Sequence, residues 1–335
     1  MIQYSVISKY RNKLMGIAIL WVMLFHAKIS YSSNVISFIK KVGYGGVDIF
    51  IFLSGFGVYL SLEKNRENVL NFYERRIKRI LPYYLPFISI WIIYKKFFNG
   101  GISIREALGN IFMFGYWSNL QNQFNWYVQD IFLFYLISPI LYLIISKSKN
   151  PYKSMFKMIV VFFISCICFF GKFNLIAISR LPIFVIGMYF AHNYTKEKQI
   201  SLNKLVALLI LNLIGLISLY YFITYKADYL WKYGLWWYPF VFITPMLIFI
   251  LSFIFGMLEK LKMKLILKCF EVIGVCSFEL YMIHIFFYEI FDNYNAVHNF
   301  GFILLIIVIF IASTLYHYFI SLILKLIKKN YRKFG

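Results

Sequence analysis

Ten apolar runs, most of them long enough to cross a lipid bilayer, constrain this chain more than any other feature. They fall at roughly 14–33, 44–62, 80–98, 125–146, 157–175, 181–195, 205–224, 236–257, 270–291 and 301–324. A hydrocarbon core about 30 Å thick is covered by about 20 apolar residues in helical conformation. The sixth run is short, and residues 170–180 would merge it with the fifth. Ile102–Trp117 is too polar to span and reads as an interfacial helix or part of a loop. Backbone in lipid must satisfy its own hydrogen bonds, and these runs do not resemble the short alternating strands of a barrel. The expected fold is therefore all-α: a polytopic bundle of about 10 transmembrane helices, with residues 1–335 as a single domain.

Composition closes the other routes. Only 14% of the residues are charged and 61% are hydrophobic, whereas a soluble domain carries about 25% charged residues. Disorder is excluded by 22% aromatic content. The formal net charge of +22 would suggest a nucleic-acid partner in a polar protein. Here it follows topology instead. With the N-terminus in the cytoplasm, 25 of the 35 Lys and Arg fall on the inner side, as the positive-inside rule requires. The expectation is an even number of spans, both termini cytoplasmic, in a bacterial cytoplasmic membrane, with no nucleic acid involved. The first run lacks a small-residue cleavage site and reads as a signal anchor. Cys166, Cys168, Cys269 and Cys276 are not spaced as zinc ligands, so they read as small apolar residues and no metal is expected. No internal repeat or linker is evident.

Ionisable residues within spans are costly and mark candidate sites. They are His26 in the first span, Asp48 in the second, Asp130 in the fourth, Arg180 at the start of the sixth, and Glu279 and His284 in the ninth. The topology puts most of them in the outer half of the bilayer, as an internal cleft would. On a continuous helix Gly274, Ser277, Tyr281 and His284 lie at about 0°, 300°, 340° and 280°, forming one polar stripe. The same stripe would equally serve interhelical hydrogen bonding. Glu279 is about 140° from His284 and faces another neighbour. Among the histidines, His298 and His192 read as solvated. His317 reads as structural, with only Ser313 and Ser321 as polar companions on its face. His26 and His284 remain as acid–base candidates.

A second cluster, Phe72 to Pro82, holds Arg75, Arg76, Lys78 and Arg79. Cations beside a membrane normally fix topology or meet anionic lipid. Arginines also fork onto phosphate oxygens. Ser54-Gly55-Phe56-Gly57 reads as a small-residue packing face.

Six strings in order carry a likeness: Gly16 to His26, Gly45 to Phe56, Phe72 to Pro82, Asn125-Trp126-Tyr127, Arg180 to Gly187, and Gly274 to His284. With them the chain resembles the acyltransferase-3 family of integral membrane acyltransferases, which O-acylate cell-surface glycans and some other acceptors. The resemblance implies a ten-span core. It makes His26 the histidine needed for acyl transfer and Arg75, Arg76 and Arg79 the basic motif that meets acyl-CoA phosphates. Asp48, Ser54, Trp126, Arg180, Ser277, Tyr281 and His284 match family positions with less defined roles. One position departs: the family usually has Arg eleven residues before the histidine, and Met15 stands there. Such an Arg would share the face of His26 about 16 Å away. Arg11, one turn earlier and about 60° round, is the candidate replacement.

The expected activity is transfer of an acyl group, acetyl above all, from cytoplasmic acyl-CoA to a hydroxyl of a cell-surface glycan or glycolipid. His26 would act as general base or accept the acyl group first. Asp48 or Glu279 would orient the imidazole, with His284 a further catalytic candidate. Asn125, Trp126, Arg180, Ser277 and Tyr281 would bind substrate, and Arg75, Arg76, Arg79 and Arg11 the donor. The alternatives are a glycolipid transporter or flippase, or an inactive scaffold in polysaccharide assembly.

Overall fold

The computed structural model describes residues 3–27, 33–64, 68–169, 172, 174–225, 234–292 and 299–331. The described chain is helical, apart from an isolated bridge between Gln3 and Gln199. The helices are α1 (Ser5–Lys9), α2 (Arg11–His26), α3 (Asn34–Lys41), α4 (Gly45–Lys64), α5 (Val69–Phe98), α6 (Ile104–Ile111), α7 (Trp126–Ser146) and α8 (Pro151–Ile167). They continue as α9 (Leu175–Ile178), α10 (Leu181–Thr195), α11 (Leu202–Tyr225), α12 (Tyr238–Lys260), α13 (Lys264–Val275), α14 (Ser277–Asp292) and α15 (Asn299–Tyr331). Side-chain caps set several starts. The side chains of Asn68, Asn125 and Asn150 accept from Asn71, Tyr127 and Lys153 backbone N–H groups, and Ser103 with Glu106 closes a capping box.

Six helical segments among the described residues are long and apolar enough to cross a membrane: α4, α7, α9 with α10, α11, α12 and Leu304–Ile327 of α15. Residues 175–178 therefore extend the sixth run, not the fifth. The first run is helical over Arg11–His26 and continues into 28–32, outside the described residues. The ninth run is not one helix. It breaks at Cys276 (φ −92°, ψ 14°) between α13 and α14. Within the Ile102–Trp117 stretch, α6 is a short helix followed by turns.

Burial sorts the helices. The window of Leu175–Thr195 is 94% buried and that of α4 83%, against 22% for α11 and 17% for α15. So α4 and α10 form the centre, while α11 and α15 turn Leu, Ile and Phe outward on the rim. Lipid gives apolar surfaces no reason to associate, so close backbone approach at small residues does the joining. A Cβ on Gly55 would overlap the carbonyl of Phe184, and one on Gly187 the carbonyl of Phe52. That crossing locks α4 to α10.

A second such crossing positions the site. A Cβ on Gly16 would overlap the carbonyl of Phe270, and one on Gly274 the carbonyl of Asn12. Lys13 pairs with Glu271 at 3.5 Å, 258 positions away. The same offset of 258 relates His26 to His284. The path from α13 into α14 thus runs beside α2 in parallel and in constant register, across the break at Cys276.

Candidate active site

His26 is the last residue of α2, and the chain turns extended at Ala27. Its Nδ1 lies 3.2 Å from Nε2 of His284, and Nδ1 of His284 lies 2.7 Å from the Leu280 carbonyl. A carbonyl oxygen only accepts, so the proton of His284 sits on Nδ1 and its Nε2 is an acceptor. With neutral rings, His26 Nδ1–H then donates to His284, which leaves the lone pair of His26 on Nε2. His284 is fully buried and His26 exposed. The edges of Tyr281 and Tyr288 pack about His284 at 5.7 Å and 5.6 Å between centroids.

A cavity of about 300 Å³ lies on one side of this pair. Arg11 and Arg79 mark one end of its lining and Tyr127 and Tyr281 the other; the two histidines are not lining residues. Tyr281 is the link, stacked edge-on against His284. Arg11 and His26 are the first and last residues of α2, so about 22 Å of helix axis separates them. Met15, at the position where the family has Arg, lines the same cavity. Arg11 donates to the Leu53 carbonyl at 3.3 Å, and its guanidinium lies against Gly57, where a Cβ would be 2.5 Å from Nη2.

The four candidate donor-binding arginines do not act as one face. Arg76 is turned into the protein, donating to the Gly57 carbonyl at 3.2 Å and stacked over Phe72 and Tyr135 at 5.2 Å and 5.3 Å. Arg75 is exposed and outside the cavity lining. Only Arg11 and Arg79 face the cavity.

Asp48 and Glu279 are each committed elsewhere, which corrects the expectation that one of them orients His26. Asp48 Oδ1 pairs with Arg180 Nε at 3.1 Å, both essentially unexposed. Arg180 also donates to the Ile176 carbonyl at 2.7 Å and is flanked by the rings of Trp126 and Trp237 at 4.9 Å and 5.6 Å. Asp130, equally buried, has no hydrogen-bond partner on either carboxylate oxygen among the described residues. Removing one partner of such a buried pair costs about 3–5 kcal/mol because the other charge is left buried and unpaired; Asp48 is on α4 and Arg180 stands at the start of α10. Asn125 caps α7 through the Tyr127 N–H at 2.8 Å and reaches the Tyr281 hydroxyl. Ser277 opens α14 and lines the cavity.

Glu279 Oε1 instead accepts from His317 Nδ1 at 2.8 Å. His317 therefore has a carboxylate companion from another helix, which the pattern along its own span did not reveal. His192, read as solvated, is buried and bonded to the Tyr59 hydroxyl at 2.7 Å. His298 lies outside the described residues. Cys166 and Cys276 are buried, Cys168 and Cys269 exposed. Among the described residues no group of three or more His, Cys, Asp or Glu is arranged to hold a metal ion.

The family model described as an acyltransferase domain, that of the acyltransferase-3 family, matches residues 14–322. The chain belongs to that family of membrane acyltransferases. No curated protein and no solved structure matches it.

Proposed function

We propose that the protein is a membrane O-acyltransferase of a bacterial cytoplasmic membrane. It takes an acyl group, most readily acetyl, from cytoplasmic acyl-CoA and passes it to a hydroxyl of a cell-surface glycan or glycolipid. Both termini and the Arg11–Arg79 end of the cavity face the cytoplasm in this reading. The observation that carries it is the cavity that starts at two arginines and ends at Tyr281, in contact with a hydrogen-bonded histidine pair whose other member is exposed.

In this reading Arg11 and Arg79 hold the donor's phosphates, and the thioester arm extends along α2 toward Tyr281. The acceptor hydroxyl approaches the exposed side of His26. His26 Nε2 removes the hydroxyl proton as the oxygen bonds to the thioester carbon. The C–S bond breaks and the proton passes to the departing thiolate, giving ester and free CoA thiol. His284 fixes the tautomer of His26 and stabilises its imidazolium, the part a carboxylate plays in a serine triad. In this reading the Tyr281 hydroxyl and Asn125 supply the donors to the developing oxyanion, and Ser277, about 10 Å of axis before His284, meets the donor's arm. Trp126 and Arg180 hold the wall behind Tyr127.

Purified protein with acetyl-CoA and isolated envelope glycan tests this directly. Glycan-dependent release of CoA thiol supports the enzyme. A glycolipid transporter or an inactive scaffold would release none.

A further inference from the structure

Glu279 is 3% exposed and lines the cavity. Its Oε1 holds the Nδ1 proton of His317. Its Oε2 is buried without a hydrogen-bond partner among the described residues. His317 is stacked on Tyr83, with centroids 5.6 Å apart and planes 15° apart, and both rings line the cavity. The carboxylate is thus fixed from behind and presents one acceptor with nothing to accept. Folded proteins rarely leave a buried carboxylate oxygen in that state, so a donor from a ligand is the natural complement.

The position narrows the ligand. Along α14, Glu279 precedes His284 by about 7 Å of axis, on the side of Arg11 and Arg79. A donor that spans the cavity from phosphate to thioester passes Glu279 with its arm, not with its acyl group. An ionised carboxylate is acceptor-only. The arm of an acyl-CoA carries secondary amides, each with one N–H, whereas a hydrocarbon chain has no proton to offer.

We infer that Glu279 Oε2, oriented by His317, accepts an amide N–H of the donor's pantetheine arm and so selects donors whose thioester hangs on an amide-bearing arm. The inference rests on the reading that acyl-CoA occupies this cavity. Glu279→Gln is informative because His317 Nδ1–H would hold the new amide's oxygen. The NH₂ would then face the cavity, a donor opposed to a donor.

Calorimetric titration of the detergent-solubilised full chain uses two probes: CoA, and adenosine 3′,5′-bisphosphate, which lacks the arm. Glu279→Gln should weaken CoA about tenfold, the scale of one charge-assisted hydrogen bond, and leave the bisphosphate unchanged. A CoA N-methylated at the arm amides should lose a similar factor on the wild type, a comparison that needs no variant. Undiminished CoA affinity in both comparisons overturns the inference, as does a parallel loss for both probes in Glu279→Gln. A wild type that binds no CoA overturns the donor reading itself, which separates the two failures.

Discussion

His26 Nδ1 and His284 Nε2 lie 3.2 Å apart although 258 residues separate them. The contact follows from the glycine crossing lower on α2, where Gly16 and Gly274 bring α2 and α13 into backbone contact before the chain continues into α14 in the same register. Position in the fold, not proximity in sequence, brings the two histidines within hydrogen-bond distance.

His284 is a positioning residue in this account, because it accepts the proton that sets the His26 tautomer. His284→Phe should keep CoA binding and lower kcat by about 10²–10⁴, the usual range for losing acid–base assistance. The pH profile of kcat should lose its dependence on the pair. Unchanged kcat in His284→Phe would remove His284 from the mechanism.

Gly274→Ala forces a Cβ into the Asn12 carbonyl. Overpacking of this kind costs about 1–3 kcal/mol, and here it also spreads the helices that align the histidines. The variant should melt at lower temperature in detergent and lose transfer. Gly256→Ala, whose Cβ would stand 3.5 Å from the Tyr10 hydroxyl, should behave as wild type. Equal melting of the two variants would contradict the crossing.

How much of this was legible varied from residue to residue. The helical class was plain in the apolar runs, since nothing else satisfies backbone in lipid. His26 and His284 were singled out by being ionisable where charge is costly, Ser277 by the polar stripe it shares with His284, and Arg11 by the resemblance, as the cation one turn before Met15. Their relations were hidden. The angles drawn from Gly274 to His284 assume one helix, and Cys276 interrupts it, so only Ser277, Tyr281 and His284 keep their common face. His317 carried no signal, because its partner Glu279 comes from a different helix. The sequence does not tell which of the four arginines face the cavity; the fold turns Arg76 inward, leaves Arg75 outside the lining and brings Arg11 and Arg79 into it.

That distinction is testable. Arg11→Ala and Arg79→Ala should each raise the donor KM about tenfold or more, the scale of hydrogen bonds to charged groups. Arg75→Ala should change it less than twofold, a value set by its exposure outside the cavity. Equal effects at Arg75 and Arg79 would show that the donor meets the motif from the exterior.

A pH-dependent element sits outside the spans, where the start of α6 meets the loop that leads to α7. The Ser103 backbone N–H and hydroxyl, with Asn122, hold the Glu106 carboxyl down at about 2 from 4.5. A depressed carboxyl stabilises the fold above its unfolded value and loses that contribution as pH falls toward the folded one. The protection factor of the Asn122 amide, whose N–H donates to Glu106 at 3.0 Å, should be constant from pH 5 to 8 and fall below about 4.5. Glu106→Gln should show the lowered protection at neutral pH, at a local cost of about 1 kcal/mol. Constant protection down to pH 3 would refute the network's role.

The most direct measurement is transfer of labelled acetyl from acetyl-CoA to envelope glycan by wild type and His26→Ala, with CoA affinity measured on both. The account predicts transfer by the wild type, none by His26→Ala, and equal CoA affinity. Glycan labelling by His26→Ala at the wild-type rate would contradict it.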